Sequence, residues 1–186
     1  MKSNSNAILV VGIDPGADGA MAAIDPRRRC VMLATRLRRQ ADDIRRESTY
    51  AALAQVLWRW RMENLVYGYV ERGQMRPLKF KGGFMQTSGE SRQTTFSTGY
   101  SSGLAKGLLI GAGCLRADVW PQSWQSALFG KKHLRDGKTT KQLSIEFAQT
   151  NYPNWSLIDK GCKVPHNGLA DAICIAHYGC LQEGLL

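Results

Sequence analysis

Hydrophobic residues run unbroken from Ala7 to Val11, and Gly12 and Ile13 carry the run to Asp14. Such a stretch predicts a buried strand. Pro15 and Gly16 then impose a turn, because proline has no amide donor and glycine accepts positive φ. Ala20 to Ile24 is a second apolar run, expected to return antiparallel to the first. Three opening strands are predicted at about 7–14, 19–25 and 30–36, the last two joined by Asp25-Pro26-Arg27-Arg28-Arg29. That turn places three arginines on one loop.

Tyr50, Leu53, Leu57, Trp60 and Arg61 recur at three and four, which predicts a helix over about 46–63. Trp58 and Trp60 cannot both face inward on it, so one is expected to be partly exposed. A fourth strand, Leu65 to Val70, ends in Glu71. Residues 72–95 lose periodicity and are rich in Gly, Thr, Ser, Gln and basic side chains; a loop of this length is functional or disordered more often than structural. Phe96 to Ala112 reads as a helix with Gly99, Gly103 and Gly107 spaced by four. Since glycine costs about 1 kcal/mol per helical position, the spacing calls for close backbone approach, or else for a broken helix. Beyond it lie a strand from Leu115 to Trp120, a short helix from Pro121 with Trp124 and Leu128, and a basic loop over 130–141. A helix carrying Leu143, Ile145, Phe147 and Ala148, a loop over 151–165 and an apolar helix over about 168–182 complete the chain. Neither repeat nor linker divides it, so 1–186 is expected to be one domain, with 1–6 as a disordered tail.

Composition changes this picture in one respect. Apolar content of 44% and charged content of 22% are ordinary for a soluble globular chain, but 25 Lys and Arg against 15 Asp and Glu leave a net charge of +10. A surplus of that size points to a polyanionic partner, nucleic acid ahead of membrane. The cysteines (Cys30, Cys114, Cys162, Cys174 and Cys180) are odd in number and form no Cys-x-x-Cys pair, which argues against zinc and disulfides and for reduced thiols. No segment resembles a signal peptide or a membrane span. An intracellular setting is expected, cytoplasmic or at the nucleoid, with an organellar one left open.

Three acids then stand apart, each alone among apolar neighbours: Asp14 and Glu71 at strand ends, and Asp171 early in the last helix. An isolated buried carboxylate tends to neutralise. Three that converge instead make an oxygen-rich site suited to Mg²⁺, with the positive end of the last helix helping to keep Asp171 ionised. For Asp14 alone, plain turn chemistry is the competing explanation.

Gly12-Ile13-Asp14-Pro15-Gly16, then Val70-Glu71-Arg72, then His166-Asn167-Gly168-Leu169-Ala170-Asp171-Ala172 resemble, in that order, the RuvC-type Holliday junction resolvases of the ribonuclease H-like superfamily. The Ser/Gly-rich segment from Ser97 to Gly107, Pro121 to Trp124, and Gly137-Lys138 are most similar to the phage and chloroplast branch. The resemblance covers about 8–179. It implies an α/β fold with a central mixed five-stranded sheet flanked by helices. It also implies a Mg²⁺-dependent endonuclease, with Mn²⁺ substituting, that holds two ions per site and nicks four-way DNA junctions as a homodimer. Neither a membrane nor a small-molecule cofactor is implied. A ribonuclease H-like nuclease for flaps, branched DNA or RNA–DNA hybrids, and a non-cutting DNA-binding scaffold, are the alternatives.

Position by position, Asp14, Glu71 and Asp171 match the family's metal-binding acids, with Asp14 bridging the ions. Bacterial members often place a fourth acid or histidine three residues before the last acid, where this chain has Gly168. His166 is the substitute, as metal ligand, holder of the attacking water or phosphate contact, beside the plain role of a helix-entry histidine. Lys138 matches a basic residue near the scissile phosphate, with Lys141 as the competing choice. Arg72, Arg76, Lys79, Lys81, Arg92, Lys106, Lys138 and Lys141 are the expected DNA contacts. Phe80, Phe84, Met85 and Phe96 are the candidates for a wedge in an opened junction.

Overall fold

In the computed structural model, residues 7–16, 18–37, 43–73, 79–81, 84–86, 92–130, 137–159 and 161–186 are described; for 43–46, 79–81, 84–86 and 92–94 this covers the backbone alone. The strands are β1 (Ile8–Asp14), β2 (Ala20–Asp25), β3 (Cys30–Arg36), β4 (Leu65–Glu71), β5 (Lys79–Lys81), β6 (Phe84–Gln86) and β7 (Leu115–Val119). The helices are α1 (Asp43–Glu63), α2 (Arg92–Gly111), α3 (Pro121–Phe129), α4 (Thr140–Asn151) and α5 (Asn167–Gln182). Five strands form one sheet in the order β3-β2-β1-β4-β7, the first three antiparallel and β1, β4 and β7 parallel. This is the mixed five-stranded sheet flanked by helices that the resemblance implied.

Strand alternation sorts the apolar residues to two faces. Leu9, Val11 and Ile13 of β1 pack with Leu53 and Leu57 of α1 and with Leu108 and Leu109 of α2. Val10 of β1 and Tyr69 of β4 pack on the opposite face with Trp124 of α3, Ala148 of α4 and the buried side of α5. The register sets Ile13 beside Val70 and Asp14 beside Ala20. By the same alternation Asp14 and Glu71 belong to the α5 face, at the same end of neighbouring parallel strands.

The structure revises the expectations at four places. Residues 72–95 are not without structure: β5 and β6 pair as a small antiparallel sheet, and α2 begins at Arg92. Strands of three residues are too short to show periodicity, so the sequence pattern passes over them. Trp120 lies beyond β7 and caps α3. Helix α2 is unbroken, yet nothing lies within 4 Å of where a Cβ would stand at Gly99, Gly103 or Gly107, so the expected close approach is not made by this chain's described residues. Trp58 is 56% exposed while Trp60 packs against the core, as one face of a helix requires. The expected tail at 1–6 lies outside the described residues. Among the described residues no helix is long and apolar enough to cross a membrane.

Candidate active site

Helix α5 brings the third acid to the other two. It crosses β1 at Gly12, where a Cβ would overlap the Ala172 carbonyl oxygen and the Ala176 nitrogen, so only glycine lets the helix settle this close. A Cβ at Gly179 would likewise meet the Tyr69 ring and Val10. Docked this way, α5 sets Asp171 one residue before the Ala172 contact, facing the strand end that carries Asp14.

Each carboxylate has its own hydrogen-bond donor. The Gly16 amide donates to Asp14 Oδ1 at 2.8 Å, a product of the Pro15-Gly16 turn. Trp124 Nε1 donates to Glu71 Oε2 at 2.7 Å. That indole is only 1% exposed and is braced edge-on by Phe129, with ring centroids 5.8 Å apart. The buried Ser144 hydroxyl lies 3.0 Å from the Thr140 carbonyl and also hydrogen-bonds Asp171. Trp124 and Ser144 are functional positions that sequence reasoning missed as partners of the acids. The Pro121-x-x-Trp124 spacing was the one available signal, and it gave no partner.

Burial, and then mutual repulsion, raises all three acids. Glu71 is pushed up to about 8, first by desolvation and then by the charges of Asp14 and Asp171, against the Trp124 hydrogen bond. Asp171 is pushed up to about 6 by desolvation and by Asp14, opposed by Ser144 and Lys141. Asp14 is raised by burial and by Asp18, opposed by the Gly16 amide and Lys141. As they stand the acids share one field without closing round an ion: among the described residues no three His, Cys, Asp or Glu side chains are gathered tightly enough to hold a metal. Their chemistry nevertheless fits a divalent cation. Three all-oxygen donor groups repel one another, each is oriented by a donor, and the surplus negative charge is one that a cation would relieve.

The basic and histidine candidates separate by position. Lys141, on α4, acts on the charges of both Asp14 and Asp171. Lys138 instead pairs with Glu146, its Nζ 2.9 and 2.8 Å from the two carboxylate oxygens. His166 is the N-cap of α5, its Nδ1 accepting from the Leu169 amide at 3.3 Å. With Nδ1 so engaged, a neutral ring carries its proton on Nε2, which suits a donor to phosphate or water better than a metal ligand. Burial and the nearby Arg36 lower the His166 pKa, which favours that neutral ring. At Gly168 a Cβ would overlap the Asp18 carbonyl, so no side chain can occupy the place where a fourth ligand is often found.

Among the expected DNA contacts, Arg72 follows Glu71 directly and, with Lys106, lies against Asp118. Lys79 and Lys81 lie on β5 and Arg92 opens α2, described in backbone alone; Arg76 lies outside the described residues. Of the wedge candidates, Phe96 is 74% exposed and stacks on Tyr100, while Phe80, Phe84 and Met85 are described in backbone alone.

A mixed sheet in this order, with acids at the ends of its two central parallel strands and a third on the helix crossing them, defines the ribonuclease H-like nuclease class of fold. Comparison with solved structures narrows this to the RuvC-type fold. Thermus thermophilus RuvC, in complex with a Holliday junction substrate, matches with a TM-score of 0.62 at 17% identity, covering 96% of this chain and 97% of that one. A second Thermus thermophilus RuvC structure matches with a TM-score of 0.59 at 18% identity, covering 95% and 97%. No family model and no curated protein sequence matches the chain.

Proposed function

We propose that this protein is a structure-selective endonuclease that resolves four-way DNA junctions by paired, metal-dependent strand nicks. The observation that carries this reading is the convergence of Asp14, Glu71 and Asp171 at one end of a RuvC-type sheet. The net charge of +10 supports a polyanionic substrate. Within the proposal, Asp14 lies between two divalent ions, Mg²⁺ or Mn²⁺, with Glu71 and Asp171 each completing one set of ligands. Such ions supply activation of the attacking water and stabilisation of the leaving oxygen.

The chain's own residues prepare that chemistry. Trp124 holds one Glu71 oxygen and leaves the other for a ligand, and Ser144 orients Asp171. Lys141 contributes positive charge where the transferring phosphoryl group gathers negative charge. The His166 Nε2–H donates to a phosphate oxygen or to water. Pairing of the nicks requires two sites, and the homodimer that provides them is proposed to use α2. Its Gly99, Gly103 and Gly107 are exposed and flanked by exposed Phe96 and Ile110, a surface that admits a close backbone. Membership of the phage and chloroplast branch rests on the motif order and belongs to the same proposal.

Cleavage of four-way junctions, flaps and RNA–DNA hybrids of equal length, compared in Mg²⁺, tests the reading. Junctions should be cut fastest, with symmetric nicks in opposing strands. Preferential hybrid or flap cleavage would overturn junction resolution, and junction binding without cleavage in any divalent metal would identify a scaffold.

A further inference from the structure

Beside the acid cluster, on the β7 side, is a group of side chains that the proposed chemistry does not use. Asp118 of β7 is approached by three cations: Lys106 Nζ at 2.8 Å, Arg72 Nε at 3.8 Å, and the Arg116 guanidinium. One carboxylate cannot balance three cations, so the group carries a surplus of two positive charges on the edge strand. Arg72 also lies over Trp120, its Cζ 4.8 Å from the ring centroid. That indole is 48% exposed. It gives α3 no side-chain cap, since Trp120 starts the helix through its backbone alone at φ −75 and ψ 140. Among the described residues its ring N–H has no hydrogen-bond partner.

Position gives the group its meaning. Arg72 follows Glu71, and Trp120 follows Val119, the residue paired with Glu71. The indole and guanidinium therefore lie one residue from a member of the acid cluster. An exposed cation–π pair contributes only about 0.5–1 kcal/mol, too little to account for a half-exposed tryptophan among like charges that repel one another. A stacked base accounts for all three features. Single-stranded nucleic acid is held by aromatic faces that stack bases, by arginine and by positive charge along the backbone.

We propose that Trp120, oriented by the Asp118-anchored Arg72, is a stacking platform for one unpaired base of branched DNA bound at the acid cluster. Lys106 and Arg116 serve the adjoining phosphates. The platform rests on the nuclease reading above and adds to it a base-stacking contact that duplex DNA cannot make, because duplex bases are already stacked.

The test is equilibrium binding in EDTA, where cutting stops, of a four-way junction and of a duplex of equal length. Wild type, Trp120→Leu and Trp120→Phe are compared, each checked by circular dichroism for folding. Trp120→Leu should weaken junction binding by roughly 5- to 150-fold, the equivalent of about 1–3 kcal/mol for one base–aromatic stack. Duplex binding should stay unchanged, and Trp120→Phe should recover most of the loss. Equal losses on junction and duplex, or none on the junction, would overturn the platform. A second measurement needs no variant: 2-aminopurine at an unpaired position of a branched substrate should lose fluorescence on binding wild-type protein, and unchanged fluorescence would also overturn it. Failure of the wild type to bind either DNA is a separate result, which would overturn the nuclease reading itself.

Discussion

Asp14 and Asp25 close the two strands of one antiparallel pair, at opposite ends of the sheet, and each is followed by proline. Asp25 is 6% exposed and is consumed by its own turn. Its Oδ1 accepts from the Arg27 and Arg28 amides at 3.0 and 3.1 Å, and its Oδ2 lies 3.5 Å from Arg28 Nε. Asp14 receives one turn amide, from Gly16, and its other oxygen has no hydrogen-bond partner among the described residues. Around it are two more acids instead of an arginine. Turn chemistry and ligand chemistry are therefore not alternatives, and what separates the two sites is the bonding capacity left once the turn is satisfied.

The comparison breaks most visibly on substitution. Asp14→Asn should lower junction cleavage on the order of 10⁴-fold, as loss of a central catalytic group does, while junction binding by gel shift is retained. Asp25→Asn should leave cleavage within about twofold and lower unfolding stability in urea by about 1–3 kcal/mol, through its lost charged hydrogen bonds. If the two substitutions affected cleavage alike, the distinction would fail.

Next in size are the groups that hold the acids. Trp124→Phe keeps the packed ring and removes the donor to Glu71. The Mg²⁺ concentration for half-maximal cleavage should rise roughly 10- to 100-fold, with little change at saturating Mg²⁺. A loss that excess Mg²⁺ does not restore would count against an orienting role. Lys141→Met should slow cleavage roughly tenfold, equal to about 1.4 kcal/mol. Lys138→Met should change it by less than about twofold, since an exposed pair such as Lys138–Glu146 contributes little.

The smallest effect is on stability against pH. Glu71 rises from 4.5 to about 8 and Asp171 from 3.8 to about 6 in the folded protein. In those windows the folded state binds protons that the unfolded chain has released, so metal-free stability is fully present at the acidic end and declines as pH rises toward 8. Thermal unfolding in EDTA should give a lower Tm at pH 8 than at pH 5, with Glu71→Gln flattening the slope. Mg²⁺ should raise Tm more at pH 8 than at pH 5. A Tm rising over that range in EDTA would contradict the shared burial of the acids.

Much of this was legible in sequence because it is local. Unbroken apolar runs gave β1 and β2, spacing of three and four gave α1, and lone acids in apolar surroundings gave Asp14, Glu71 and Asp171. What stayed hidden depends on contacts distant in the chain. Trp124 and Glu71 are 53 residues apart, and nothing in either neighbourhood announces the bond. Gly12 looks like an ordinary strand glycine until α5 lies across it, and Gly168 looks like a missing ligand until the Asp18 carbonyl is seen filling its space. Lys138 and Lys141 are equivalent on a basic loop. Only the helix that follows turns one toward Glu146 and the other toward the acids.

The central claim is that the three acids, and not the arginine-closed end of the sheet, form one divalent-metal site. Fe²⁺-directed backbone cleavage tests this most directly: Fe²⁺ replaces Mg²⁺, ascorbate and peroxide are added, and the chain is cut next to the bound ion. Fragments ending near Asp14, Glu71 and Asp171 are predicted, suppressed by excess Mg²⁺ and lost in Asp14→Asn. Cuts beside Asp25, or cuts spread along the chain and indifferent to Mg²⁺, would contradict it.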